Sequence, residues 1–410
     1  MPFNKVLIIG SGPAGLTLAQ YLKRHDVPIQ VVEKAPVSRL QGYSVSIHFA
    51  LPYLVEALGE DKMKDFEEYV SVNHTKSTGV ALVNYDGKVL LKLDGIPALS
   101  GKGIRANRSR IRNRLMEGIN VESDVDVTEV NFGDHQAVAK TSKGDISADL
   151  VVGADGLRSA VRASIIGNKV QELDVVNLSA SRNITRKQHE IFRKYSPTHF
   201  IMFGPKSSDK QGVVNFFYSI NDVSEDGKTY NVRWVLSWDQ SLDHHEIPDT
   251  NDGLHKIAHD MAEQFSEPIK NLIQTTDPSV KLWFNHVCQC MPDYSWDGKG
   301  QVTLIGDALH AMTAYRGEGL NHAVMDAVLL GEQIVLAHQG KKAITTALTA
   351  YEEQAMARGR TAVKASYESA ITVHRGFSTV TKLLMRGLNL VLSNLQNYNI
   401  MAYFWPNTHK

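Results

Sequence analysis

Gly10, Gly12 and Gly15, in the run Gly10-Ser-Gly12-Pro-Ala14-Gly15, have the spacing of a chain turning tightly around an anion. Gly10 permits the turn, Gly12 opens the backbone to a pyrophosphate, and Gly15 lets a helix lie close against a strand. Pro13 fits a first helical turn, where an N–H needs no partner. The helix start then offers its N–H groups and its positive dipole end to a diphosphate. Glu33, followed by Lys34, lies eighteen positions past Gly15, where a carboxylate meets the ribose hydroxyls of an adenosine. An acid there disfavours a 2′-phosphate, so the site suits NAD or FAD and not NADP. A second acid, Asp307 after Gly306, could accept hydrogen bonds from a polyol chain. Gly317 and Gly319, with Leu320 and Asn321, open a helix whose N–H groups would meet developing negative charge.

Apolar runs place these residues. Residues 5–9, 29–32, 149–153 and 301–305 are short, rich in β-branched side chains and bounded by glycine or acid, as in strands buried on both faces. Leu16, Leu18, Ala19 and Leu22 have helical spacing, as do Ala323, Val324, Ala327, Val328, Gly331, Ile334 and Val335. The alternating runs 125–130 and 137–141 predict antiparallel strands, and so do 198–203, 212–218 and 230–238. From Lys342 onward the pattern is helical. Residues 377–395 predict an amphipathic helix that covers the nucleotide-binding domain or a partner subunit, with docking on a membrane surface the alternative that its weakly basic polar face disfavours.

The chain's 410 residues suit two packed domains. Lys plus Arg equals Asp plus Glu at 44 each, so no global field favours nucleic acid or an anionic membrane. The partner is therefore expected to be a small molecule held in a pocket. Cys288 and Cys290 are expected as reduced thiols in a strand beside His286, too few ligands for a structural zinc site, and no metal is expected. Glycines interrupt the apolar N-terminus before a signal core develops, and no stretch has the ~20 apolar residues of a membrane-spanning helix. A cytoplasmic monomer or homodimer is expected.

At three stations the sequence resembles the group A flavoprotein monooxygenases, the para-hydroxybenzoate hydroxylase-like family. These are the N-terminal glycine motif, Asp155-Gly156, and Gly306-Asp307 with its glycine-bearing helix start. Arg108-Ser-Arg-Ile111 leading to Leu115, and Tyr351-Glu-Glu followed by Arg358, match further family elements. The resemblance spans roughly residues 5–360. It implies an α/β fold with α+β features: a Rossmann-like FAD-binding domain (1–171 and 291–340), an antiparallel-sheet substrate domain (172–290) and C-terminal helices (341–410). It also implies that Glu33 holds the adenosine ribose, Arg108 the pyrophosphate and Asp307 the ribityl chain of a non-covalent FAD. Asp155 and Gly156 would serve both FAD and the pyridine nucleotide, with Arg39 near the flavin.

The implied reaction takes NAD(P)H as transient reductant and O2 as co-substrate, and hydroxylates an aromatic or polycyclic compound through a C4a-hydroperoxyflavin. Epoxidation, Baeyer–Villiger insertion and a non-redox cyclase or isomerase are the alternatives on the same scaffold. Ala314 stands where the family usually has a proline beside the flavin. Arg316 is a candidate to meet substrate or Glu318, and His48 to orient a substrate hydroxyl. Phe203, Phe217, Tyr218, Trp234, Trp238, Ala314 and Tyr315 are candidate pocket residues.

Overall fold

The computed structural model describes residues 3–36, 38–39, 42–73, 79–93, 103–206 and 211–397. They fall into two compact units. The first takes in residues 1–76, 102–173 and 286–370, the second 77–101, 174–285 and 371–410.

The first unit is built on a five-stranded parallel sheet in the order Val302–Leu304, Leu150–Gly153, Val6–Ile9, Ile29–Glu33, Val121–Ser123. The central strand pairs Val6 with both Leu150 and Ile29, and all four of its residues are buried. Burial on both faces explains why these strands are continuous apolar runs without alternation. The helix Pro13–Arg24 follows the first strand and buries Leu16, Leu18, Ala19 and Leu22. The helix Gly319–His338 packs against it, and a Cβ at Gly331 would stand 2.4 Å from the Tyr21 ring. Among the described residues this is the helix long and apolar enough to cross a membrane, but most of it is buried in the core of the first unit. Val127–Phe132, Ala137–Thr141 and Ile146–Ala148 form a small antiparallel sheet, and Ser44–Ile47 pairs with Ile104–Asn107.

The second unit centres on a seven-stranded sheet in the order Trp283–Gln289, Gln171–Thr185, Thr229–Asp239, Asn215–Val223, His199–Phe203, Val80–Asn84, Val89–Lys92. The central pairs are antiparallel, with Tyr218 opposite Trp234 and Phe200 opposite Tyr218. His199–Phe203 and Val80–Asn84 run parallel. The expected domain limits differ here: 77–101 leaves the nucleotide-binding part because its strands complete this sheet. The C-terminal region also divides. The helix Ile344–Arg375 lies mostly in the first unit, and Thr379–Asn397 in the second, against Val89–Lys92.

Candidate functional site

The glycine turn has the geometry its spacing predicts. Gly10 adopts φ +108°, and a Cβ there would lie 2.4 Å from the Ala154 carbonyl oxygen. A Cβ at Gly15 would stand 2.1 Å from the Gly10 carbonyl oxygen. Nothing lies within 4 Å of the Cβ position at Gly12, the N-cap of Pro13–Arg24, and no side chain caps that helix. An open, uncapped helix start is what a phosphate group occupies. Glu33 accepts hydrogen bonds from the Ser11 amide (2.8 Å), the Ser11 hydroxyl (3.0 Å) and the Ala35 amide (3.0 Å). Burial alone would raise its pKa, yet these donors and the nearby Arg112 hold it below the usual carboxylate range. Arg112 is itself buried and donates to the Ser11 carbonyl oxygen and hydroxyl. Lys34 is exposed beside Glu33.

Across the same unit, Gly306 adopts φ +60°, ψ −139°, and its Cβ position lies 3.1 Å from the Ala14 methyl. This brings the Gly306-Asp307 turn against the phosphate-binding helix. The Asp307 side chain is solvent-accessible, yet the protein around it is dense enough to raise its pKa, so it sits in a recess. His310, Arg108 and Arg162 draw that pKa back down. Among the described residues no side chain or amide hydrogen-bonds the Asp307 carboxylate, and the Gly319 Cβ position is 4.0 Å from its Oδ1. Arg108, half-buried, feels Asp307 and Arg39, and its guanidinium donates to the Tyr43 hydroxyl and lies over the Tyr43 ring. Arg39 is exposed. The structure thus brings Gly10, Gly12, Ala14, Gly15, Glu33, Arg39, Arg108, Gly306, Asp307 and Gly319 into one neighbourhood.

Other expected site residues support the backbone. Asp155 accepts from the Ser159 hydroxyl (2.5 Å) and the Ala160 amide (2.7 Å), so its carboxylate caps the helix Ala160–Ile166, while Gly156 takes φ +80°. Asn321 is fully buried, accepts the His48 amide at 2.7 Å and donates to the Ser46 carbonyl oxygen at 3.0 Å. It clamps the Ser44–Ile47 strand to the start of Gly319–His338, beside partly buried Leu320. Ala314, Tyr315 and Arg316 form one 3-10 turn ending at Gly317 in the left-handed region, φ +64°. Arg316 is spent on Glu318, at 2.8 Å.

Three residues that the sequence did not single out as site residues hold this region from beneath. Arg162, fully buried, donates to the Ala308 carbonyl oxygen (2.9 Å) and to that of Leu157, tying the Asp155 and Asp307 turns together. Asp326 is wholly buried and accepts the Gly306 amide at 2.8 Å and the Arg358 guanidinium at 2.9 Å. His310 Nε2 lies 2.7 Å from the same carboxylate. Burial opposes both charges, but their mutual attraction raises the His310 pKa and lowers that of Asp326. His322 beside them is pushed down to about 4 by burial and by His310. Tyr351 and Glu352 anchor the helix Ile344–Arg375 to Val302–Leu304 through the Leu304 carbonyl oxygen and the Thr303 hydroxyl.

In the second unit the expected pocket residues separate by sheet face. Tyr218 and Trp234 are fully buried: the Tyr218 hydroxyl lies 3.0 Å from His189 Nδ1, and Trp234 Nε1 donates to Thr276 at 3.2 Å. Phe203 packs edge-on against Phe377, and Trp238 is also buried. Tyr218, Trp234 and Trp238 are core rather than pocket, on the face that helices and loops of the unit cover, whereas Phe203 lies on the opposite face and is buried there beside Phe377. Phe217, on the same face as Phe203, is half-buried, in a row with Leu82, Ile201 and Val235 across adjacent strands. A separate cavity of about 280 Å3 in this unit is lined by Ile184, Ile191, Phe192 and Arg182, whose guanidinium is already bound by Leu272 and Thr275. Cys288 and Cys290 are free thiols, with Cys288 in the Trp283–Gln289 strand.

The first unit therefore combines an open helix N-terminus, a partly buried carboxylate at the end of the second strand and an unpartnered carboxylate in a recess. That set fits a dinucleotide with a polyol segment, which is FAD. Comparison with known proteins agrees. Residues 111–366 match the family described as FAD binding domain, and residues 4–188 match that described as pyridine nucleotide-disulphide oxidoreductase. The FAD-dependent monooxygenase cctM of Talaromyces islandicus is 29% identical over 90% of this chain and 93% of its own. In fold, the chain is similar to Klebsiella pneumoniae HpxO complexed with FAD and uric acid (TM-score 0.72, 19% identity, 94% of this chain and 92% of that one). It is equally similar to 2,6-dihydroxypyridine-3-hydroxylase of Arthrobacter nicotinovorans (TM-score 0.72, 16% identity, 91% and 93%). The chain belongs to the FAD-binding domain family and is an FAD-dependent monooxygenase of the group A flavoproteins.

Proposed function

We propose that this monooxygenase hydroxylates a small, planar aromatic or polycyclic compound, with NAD(P)H as reductant and O2 as oxygen source. The observation that carries the substrate class is the row Leu82, Ile201, Phe217 and Val235 on one face of the second unit's sheet. A flat apolar strip with one aromatic ring suits a flat apolar ligand. Uric acid in HpxO and the dihydroxypyridine of the Arthrobacter enzyme are planar ring compounds, which supports the same class here.

Bound FAD supplies the redox and oxygen-activating chemistry. The chain's own residues bind and orient it. Glu33 would receive the adenosine ribose, the Gly12 helix start and Arg108 the pyrophosphate, and Asp307 the ribityl hydroxyls. With FAD bound, the N–H groups at Gly317 and Gly319 would be placed to stabilise negative charge on it. Asp155 and Gly156 shape the turn behind Asp307, and Lys34 and Arg39 add positive charge at the entrance. The overall balance is substrate C–H, O2, NAD(P)H and H+ giving C–OH, NAD(P)+ and water.

The test is an NAD(P)H-oxidation screen of the FAD-loaded protein against a panel of aromatic and polycyclic compounds under 18O2. Substrate-stimulated NAD(P)H loss with one 18O atom in the product is expected. A product isomeric with its substrate, formed without NAD(P)H, would assign a cyclase or isomerase instead.

A further inference from the structure

Arg182 and Ile184 stand two residues apart on the strand Gln171–Thr185, so they share one face of the second unit's sheet. The register puts that face with Trp234 and opposite to the Phe217 row. The helices Arg186–Arg193 and Glu267–Gln274 lie over it, and the cavity of about 280 Å3 is walled by this strand and these two helices. Its floor is apolar and dry, with Ile184, Phe192 and Leu272 all buried, and Ile191 forms an open rim. A concave apolar space near the lower end of ligand-pocket size needs only a few placed polar groups to select what enters.

Those groups stand at its two ends. At one end Arg182 Nη1 donates to the Leu272 carbonyl oxygen (2.8 Å), Thr275 Oγ1 (3.0 Å) and Thr276 Oγ1 (3.4 Å), which pin the guanidinium to the end of Glu267–Gln274. All three bonds leave from Nη1, and among the described residues nothing accepts from Nε or Nη2, the pair of donors that fits a carboxylate side-on. Burial lowers the Arg182 pKa more than the attraction of Asp277 raises it, so the cation is short of solvation. Asp277 is exposed, and its Oδ1 already accepts the Ser279 amide and hydroxyl. At the other end Glu267 opens its helix, eight positions and roughly 12 Å before Thr275. Its repulsion of an anion held at Arg182 is weak at that range, beyond a Debye length of about 8–10 Å. Among the described residues no donor bonds the Glu267 carboxylate, so it is available to accept. One cation and one acid suit a monoanion, and not a phosphate dianion.

We propose that this cavity is a second ligand site, on the sheet face opposite the Phe217 row, for a small carboxylic acid with an apolar body and a hydroxyl at its far end. The carboxylate lies on Nε and Nη2 of Arg182, the body rests on Ile184, Phe192 and Leu272, and the hydroxyl donates to Glu267. Ile191 closes over the body from the rim. The site stands apart from the oxygenation substrate, whatever that substrate is.

The test is calorimetric titration of the FAD-loaded full chain with hydroxyphenylpropionate, phenylpropionate and propylphenol, which keep one body and remove one end in turn. Hydroxyphenylpropionate is expected to bind tightest, and each of the others roughly 10- to 100-fold more weakly, the worth of one hydrogen bond to a charged group. Arg182→Lys, which keeps the charge but not the fork, is expected to weaken hydroxyphenylpropionate about tenfold and to leave propylphenol unchanged. Ile191→Asp, at the exposed rim, should weaken it at least as much with FAD content and melting temperature unchanged, so a fold defect in the arginine variant would not hide the answer. Phe217→Ala should leave this binding as it is. No binding of hydroxyphenylpropionate, or equal affinity for all three probes, would overturn the proposal. Binding that Phe217→Ala abolishes while Arg182→Lys and Ile191→Asp spare it would place the acid on the other sheet face and overturn it equally.

Discussion

Asp326 is the residue on which the Gly306-Asp307 turn most depends, although it lies behind that turn. Its carboxylate is fully buried and serves three partners: the Gly306 amide at 2.8 Å, Arg358 at 2.9 Å and His310 at 2.7 Å. Asp326→Asn keeps the shape and an acceptor for Gly306 but removes the charge that two buried cations face. Breaking a buried ion cluster by removing one partner costs about 3–5 kcal/mol. Arg358 is 18% exposed on its side chain, which places the loss near the lower end, at about 3 kcal/mol. For a unit of this size each kcal/mol moves the melting temperature by about 2–4 °C, so a fall of about 6–12 °C is expected. FAD affinity falls with it, because Gly306 holds a backbone conformation (φ +60°, ψ −139°) that its amide bond to Asp326 fixes.

The assay is thermal unfolding of wild type, Asp326→Asn, His310→Gln and the double variant, each with and without FAD. The network requires His310→Gln to cost less in the Asp326→Asn background than alone, a positive coupling. The pH dependence adds an independent check. The folded His310 pKa is raised above its ordinary 6.5, so its share of stability is complete below 6.5 and is lost as pH rises through the folded value. Asp326 is lowered below its ordinary 3.8, so its share is complete above 3.8 and is lost in acid. Glu352, raised to about 7 by burial, loses its own share between 4.5 and about 7, and comparison with His310→Gln subtracts it. A drop under about 2 °C for Asp326→Asn, or simple additivity in the cycle, would refute the network as the support of the turn.

Asp307→Ala removes a carboxylate assigned to the ribityl hydroxyls. Hydrogen bonds to charged groups are worth about 1.5–3 kcal/mol, so FAD should bind roughly 10- to 100-fold more weakly, seen as flavin lost during purification. Unchanged flavin stoichiometry would remove the assignment. Gly15→Ala drives a methyl to 2.1 Å from the Gly10 carbonyl oxygen, and a loss of about 1–3 kcal/mol with loss of FAD is expected by calorimetry and absorbance. Phe217→Ala and Trp234→Ala should part company: the first changes KM or wastes NAD(P)H at near-normal stability, while the second costs about 3–5 kcal/mol. Equal destabilisation by both would place Phe217 in the core. His189 is held neutral by burial, its pKa pushed down to about 4. Its stability contribution is present above 6.5 and is lost as pH falls towards 4, and His189→Gln should flatten that limb of the unfolding curve.

What the sequence made legible was local. The strand, glycine turn, helix and acid from Lys5 to Glu33 form one continuous stretch whose order and spacing carry the motif, so it can be read without knowing which distant segments pack on it. Gly306-Asp307 was legible for the same reason, as an acid at the end of a buried strand. Asp326 and Arg162 were not. Each acts on a backbone far along the chain: Asp326 is 20 residues from Gly306, and Arg162 is 146 from Ala308. A weak signal existed at Asp326, an acid set among Val324, Ala327 and Val328 on an otherwise apolar helix. A charge there is tolerable only if paired, which predicts distant cations without saying which.

The substrate strands illustrate a second limit. Alternation separates Phe217 from Tyr218 and puts Trp234 on the latter's face, but period two alone does not say which face the unit covers. That is decided by His189, on a helix 29 residues away from Tyr218, and by Thr276, 42 residues from Trp234. The transfer of Val80–Asn84 to the second unit follows the same rule, since its parallel partner is His199–Phe203. Residues that bind by backbone geometry can be found from a motif. Those that act by charge burial or by choice of face depend on which distant segment arrives, and here such segments decide both the support of Asp307 and the identity of the open apolar row.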